Sequence, residues 1–194
     1  MLFDQTLSWT NHWTLLAQKI FGILAKLRRT FSFIPPNIRK ILIMTLFMPH
    51  LDYATLLFTG IADCNNSKLQ KLQNACVRFI TGAWLFEHVS PYYEQIGLLK
   101  LDKRRIIRVA VKIFKIISTG TPSYLRDRYT FISSSSTRSS KHKLVIPNHR
   151  TEKYHLSFLV QSSNIWNEMK LFDLGGRSIN FVHGEKWLAL MAKF

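Results

Sequence analysis

The chain has 194 residues, 47% of them hydrophobic, which suits one domain with a buried core, or one domain and a tail. Its 27 Lys and Arg stand against 11 Asp and Glu, a formal net charge of +16, and an excess of that size points to a polyanionic partner. Two cysteines, Cys64 and Cys76, exclude a disulfide-framed fold and read as reduced thiols.

Helical periodicity runs through the sequence. From Asn11 to Arg29, Trp13, Leu16, Ile20, Ile23, Leu24 and Leu27 recur at helical spacing, with Lys19 and Lys26 on another face. Pro35-Pro36 breaks the chain, and Pro36 suits the first turn of a second helix that runs to Phe47 and stops at Pro49. The weakly charged stretch 41–62 is interrupted by Pro49, His50 and Asp52, which argues against a membrane span and for a buried helical hairpin. A short apolar piece, Leu51 to Phe58, precedes a turn at Asp63-Cys64-Asn65-Asn66.

Ser67 to Thr81 carries the clearest helix pattern, with Ser67 suited to the N-cap and Gly82 to a left-handed terminus. Leu69, Leu72, Cys76, Val77, Phe79 and Ile80 share one side, while Gln70, Lys71, Asn74 and Arg78 form a polar, cationic exterior. No element is assigned to residues 83–100.

Leu101 to Ser118 forms the next helix. At the helical turn angle, Arg104, Arg105, Arg108, Lys112 and Lys115 fall within an arc of about 100°. Ile106, Val109, Ala110, Ile113, Phe114, Ile116 and Ile117 take the rest, and Leu101 and Val111 are off-pattern. Like charges one helical turn apart repel by about 0.2–0.5 kcal/mol per pair, and phosphates along a nucleic-acid backbone relieve that repulsion. Beyond Gly120, Thr121-Pro122 opens a short turn through Leu125. Residues 126–150 form a basic, serine-rich, flexible loop, and Tyr154 to Met169 is helical again, with Phe158, Ile165 and Trp166 as packing residues. From Leu171 on, only a weak amphipathic tail remains.

Catalytic chemistry finds no footing. The 11 acidic residues are scattered, with no adjacent or alternate pair to hold a metal or exchange a proton. His142, His149 and His155 fit no zinc spacing, and there is neither a Gly-x-Ser-x-Gly elbow nor a glycine-rich phosphate loop. No catalytic residue, metal or cofactor is expected.

Several blocks follow one another in a set order. They are Leu7-Ser8-Trp9 with His12, then Phe33-Ile34-Pro35 with Arg39-Lys40, then Pro49-His50-Leu51-Asp52-Tyr53. Lys68-Leu69-Gln70-Lys71-Leu72-Gln73-Asn74-Ala75 follows with Arg78-Phe79-Ile80-Thr81-Gly82. Then come Gly97-Leu98-Leu99 with Arg104-Arg105, Thr121-Pro122-Ser123-Tyr124-Leu125, and Ser157-Phe158 with Trp166-Asn167. This order, over residues 6–168, resembles the region after the polymerase palm in reverse transcriptases of non-LTR retrotransposons of the jockey and CR1 kind. The resemblance implies a thumb-like region that grips template–primer nucleic acid while the palm performs RNA-directed DNA synthesis. The aromatic-x-Asp-Asp turn of the palm has no counterpart, so a truncated, catalytically inactive fragment is expected. The family's Leu-Pro after Trp-Asn is replaced here by Glu168-Met169.

The expected fold is therefore all-α, an irregular bundle of about six or seven helices with the serine-rich loop. Its parts are a thumb-like region (1–125), the loop (126–150), a final family-like helix (151–169) and an unrelated tail (170–194). Lys68, Lys71, Arg78, Arg104, Arg105, Arg108, Lys112 and Lys115 are the expected contacts to an RNA or DNA backbone. A phosphate-gripping role for them is read from charge and helix geometry, not from the family motif. No membrane partner is expected. Asp4 and its polar neighbours stand where a secretory signal would be apolar, so an intracellular location in cytoplasm or nucleus is expected. The alternative is a helical protein-interaction module that docks through an exposed apolar surface around Trp13 and Phe21.

Overall fold

A computed structural model describes residues 10–53, 55–58, 63–132 and 143–168. Among these the protein is all-α and has no β-strand, just an isolated antiparallel bridge between Phe131 and Leu144. Two compact units divide between Lys103 and Arg104. The expected serine-rich segment 133–142, the tail from residue 169 and the opening Leu7-Ser8-Trp9 lie outside the described residues.

The first unit begins with α1 (Thr10–Arg29), which buries Trp13, Ile20 and Leu24. A 3₁₀ turn (Phe31–Phe33) leads to α2 (Pro36–Leu46), where Pro36 occupies the first turn behind an extended Pro35. Buried Arg39 holds this connection together. Its Nε donates to Ile34 O (2.6 Å), its NH2 to Phe31 O (3.0 Å), and the guanidinium lies 3.4 Å above the Phe31 ring. Pro49 does not simply stop the chain. It sits in the first turn of α3 (Met48–Asp52), because a proline lacks an N–H that a helix start does not need. A 3₁₀ turn (Thr55–Phe58) follows. The hairpin is not buried as expected, since Ile38, Ile41, Met44 and Leu46 on the outward side of α2 are exposed.

Helix α4 (Asp63–Thr81) is the centre of this unit, and both α1 and α2 pack on it. The six apolar positions read from its periodicity are all buried. Its start lies four residues earlier than Ser67 suggests. Asp63 complements the positive helix end, and the next asparagines find partners outside the local turn. Asn65, 2% exposed, donates to Thr10 Oγ1 (3.3 Å), and Asn66 donates to Asp102 Oδ1 (2.8 Å). Gly82 ends the helix with φ +76°, the left-handed geometry expected of it. Helix α5 (Ser90–Ile96) contains Pro91 in its first turn and terminates at left-handed Gly97, whose N–H donates to Glu94 O.

Helix α6 (Leu101–Thr119) leads into the second unit. Leu101, off-pattern for the apolar face, is 2% exposed and belongs to the core of the first unit. Ile106, expected in the apolar face, is 49% exposed. Short α7 (Ser123–Arg126) is followed by the Phe131–Leu144 pairing, with Ile132 N–H donating to Lys143 O and Val145 N–H to Thr130 O, both at 2.9 Å. The single helix expected over 154–169 is two helices, α8 (Glu152–His155) and α9 (Phe158–Glu168). The chain turns between them because Gln161 Nε2 donates to His155 O (3.0 Å) and satisfies the end of α8. Ile113 and Ile116 of α6 join Tyr129, Leu144 and Trp166 in the second core, where Phe114 stacks on Trp166. The Asn167 amide grips both backbone groups of fully buried Leu144, at 2.8 and 3.0 Å.

Candidate nucleic-acid interface

Cations concentrate along α6. Arg104, Arg108, Lys112 and Lys115 follow one another at steps of four, four and three residues, over about 16 Å of helix axis, and Arg105 flanks them. Arg108 and Lys115 are exposed; Arg104, Arg105 and Lys112 are half-buried. None of the five is buried, which matches an amphipathic helix lying with its charged side outward, because long cationic stems cover apolar surface while their heads stay wet. On other sides of the helix Ile107, Val109, Ala110, Ile113 and Ile116 are buried. Arg104, Arg105 and Arg108 each already interact with another group, so a bound phosphate would share or displace those contacts.

Helix α4 contributes less charge than its sequence suggests. Lys68 and Lys71 are exposed one turn apart. Arg78 is turned to the loop that follows, its Nε donating to Trp84 O (3.2 Å) and its NH2 to Glu87 O (3.1 Å). Two of its donors thus hold backbone in place, a different task from the phosphate contact expected of it. Gln70 and Asn74 do not form a solvated exterior either. The two N–H groups of Gln70 Nε2 lie between Gln73 Oε1 (3.1 Å), Asn74 Oδ1 (2.9 Å) and the Tyr93 hydroxyl (2.9 Å). Tyr93 donates to Asn74 Oδ1 (2.7 Å), and Gln73 Nε2 donates to Leu99 O (2.8 Å). Gln70 Oε1 accepts the N–H of Leu101, the first residue of α6 (3.1 Å). Burial drives the Tyr93 phenol far above its ordinary range, with the Gln70 hydrogen bond acting weakly the other way.

Other expected features resolve simply. Trp13 is 3% exposed and belongs to the core, so it does not form the apolar docking surface expected with Phe21, which is 47% exposed. His149 and His155 stack at 4.7 Å, and His155 Nδ1 lies 3.8 Å from Glu152 Oε1, while His142 lies outside the described residues. Among the described residues no three His, Cys, Asp or Glu side chains group as metal ligands, and no helix is long and apolar enough to cross a membrane.

Sequence reasoning missed the loop between α4 and α5. Trp84, Leu85 and Phe86 are 70%, 65% and 83% exposed there. The available signal was three large apolar residues in a row between Gly82 and Pro91, outside any helical period. No protein-family model matches this chain, and comparison with curated proteins and with solved structures found no match.

Proposed function

We propose that this chain is a nucleic-acid-binding helical module that holds the phosphate backbone of RNA or DNA through the cationic face of α6, with Lys68 and Lys71 of the first unit as separate backbone contacts. In this reading it is a catalytically inactive fragment of a retrotransposon RNA-directed DNA polymerase, from the thumb-like region that follows the palm. The observation that carries the binding role is the run of five cations on one side of α6, in a protein of net charge +16, with buried aliphatic residues on the helix's other sides. The order of the sequence blocks supports the ancestry.

The test is binding of a labelled duplex by fluorescence anisotropy at several salt concentrations. Each phosphate contact on B-DNA contributes about 0.9 to the slope of log affinity against log salt, so five contacts weaken binding roughly 500-fold for a fourfold rise in salt. Arg104→Glu, Arg108→Glu and Lys112→Glu together abolish binding. Arg108→Gln with Lys115→Gln, both at exposed positions, reduces the slope by about 2 without disturbing packing. Unchanged affinity in both variants defeats the proposal.

A second reading, a protein-interaction module, draws on one specific observation: Ile38, Ile41, Met44 and Leu46 leave α2 with an uncovered apolar side. Elution that depends on concentration and ignores salt supports it.

A further inference from the structure

In the first unit an open depression of about 260 Å³ lies between the end of α1 and the end of α4, lined by Arg28, Phe31, Arg78, Phe79 and Leu85. That is smaller than the roughly 300–1,000 Å³ of pockets that enclose drug-sized ligands. Leu85 is one of its walls; its chain neighbours Trp84 and Phe86 do not line the depression but stand exposed on the same loop. Their rings meet edge to face at 5.9 Å.

The loop that carries these rings is built, not loose. Besides the two Arg78 bonds, the Trp84 N–H donates to Glu87 Oε2 (3.2 Å), the Glu87 N–H donates to Trp84 O (3.2 Å), and the Tyr92 hydroxyl donates to Glu87 Oε2 (2.7 Å). A loop fastened from both sides holds Trp84 and Phe86 in water at a standing hydrophobic cost, an arrangement characteristic of a binding surface.

We infer that this loop and depression form a second site, for the unpaired bases of a single-stranded nucleic acid, with Trp84 and Phe86 as stacking platforms and Arg28 as a phosphate contact. Three observations converge on that ligand. The rings present flat apolar faces, the rim is cationic, and the depression suits one small group. Base pairs inside a duplex are stacked on each other and offer no free face, so the rings select unpaired bases where the α6 face takes any backbone. The site shares with the α6 reading only its class of ligand and uses different residues.

The experiment uses the whole chain and two labelled oligonucleotides of equal length and charge, oligothymidine and a fully abasic strand. The wild-type protein binds oligothymidine at least about tenfold more tightly, which is about 1.4 kcal/mol. Trp84→Ala with Phe86→Ala removes the preference, and Trp84→Phe retains it; circular dichroism unchanged in both variants excludes unfolding. Arg108→Gln with Lys115→Gln on α6 weakens both strands and leaves their ratio, so the two sites separate. Equal wild-type binding of the two strands overturns the base-stacking site while leaving the α6 face intact. A ratio that collapses in that α6 variant assigns the preference to α6 and also overturns it. Binding of neither strand refutes both sites.

Discussion

Replacing Gln70 with Leu tests whether the best-defined sequence block is structural. The substitution keeps a side chain of similar bulk and removes every polar partner Gln70 supplies. Leu101 loses the acceptor of its N–H at the first residue of α6, a position where loss of a capping side chain costs about 0.5–2 kcal/mol. Tyr93 and Asn74 lose the amide donor and retain each other at 2.7 Å, so their loss is smaller. With about 1–3 kcal/mol for a buried group left without a partner, the sum is about 1.5–5 kcal/mol. Gln73→Leu orphans mainly Leu99 O, because the Gln70 amide still reaches Asn74 and Tyr93. It costs about 1–2 kcal/mol, part of the loss being offset by the added apolar burial. Urea denaturation at constant m-value reads both, and the double variant loses less than the sum because the two side chains share a bond. Gln70→Leu destabilising by less than Gln73→Leu would falsify this account of the network. Nucleic-acid affinity of the folded protein stays the same in either variant, since neither substitution changes a charge.

The thiols and the Asn167 clamp give further tests. Exposed Cys64 reacts with a thiol reagent in the native protein, whereas Cys76 reacts on unfolding, its thiol pushed up to about 12 by burial. Against an ordinary value of 9.0, the unfolded chain releases this proton first, so the contribution is intact below pH 9 and is lost as pH rises from there toward 12. By about pH 10 the loss reaches about 1.4 kcal/mol, and Cys76→Val removes this part of the alkaline fall in urea midpoint. Parallel pH profiles for the variant and the wild type would contradict it. Asn167→Ala strips both backbone groups of buried Leu144 of their partner and costs about 2–4 kcal/mol. Amide exchange at Leu144 accelerates in that variant; an unchanged rate counts against the clamp.

The helices and their core faces were legible because burial imposes a period. Leu69, Leu72, Cys76, Val77, Phe79 and Ile80 repeat at the helical angle, and no other arrangement places all six on one side. Gly82 was legible for a comparable reason, since a left-handed terminus favours a residue without Cβ. Polar side chains carry no such period. Arg39 and Arg78 look like surface cations in sequence, yet both hold carbonyls of irregular backbone, whose path depends on contacts distant in the chain. Trp84, Leu85 and Phe86 failed the pattern altogether, because a short loop has no repeat against which exposure can be read.

The same reasoning sorts what the sequence blocks report. Gln70, Gln73 and Asn74 fasten α5 and the start of α6 to α4; Arg39 of α2 holds the connection that follows α1; Asn167 completes the pairing of Leu144. Each is a buried or half-buried polar group whose hydrogen bonds hold backbone or a neighbouring helix, so these blocks report how the helices pack before they report a ligand. Contact with phosphate needs something different, namely cations gathered on one accessible side, and a lysine or arginine serves there at almost any of several positions. On the proposed reading, how tightly this chain holds nucleic acid follows the charge on α6 and not the packing blocks. Exchanging Arg108 and Lys115 for neutral residues while leaving Gln70 and Asn167 untouched should give a protein of the same fold and stability with weakened binding, and the converse exchange a protein that binds normally for as long as it stays folded.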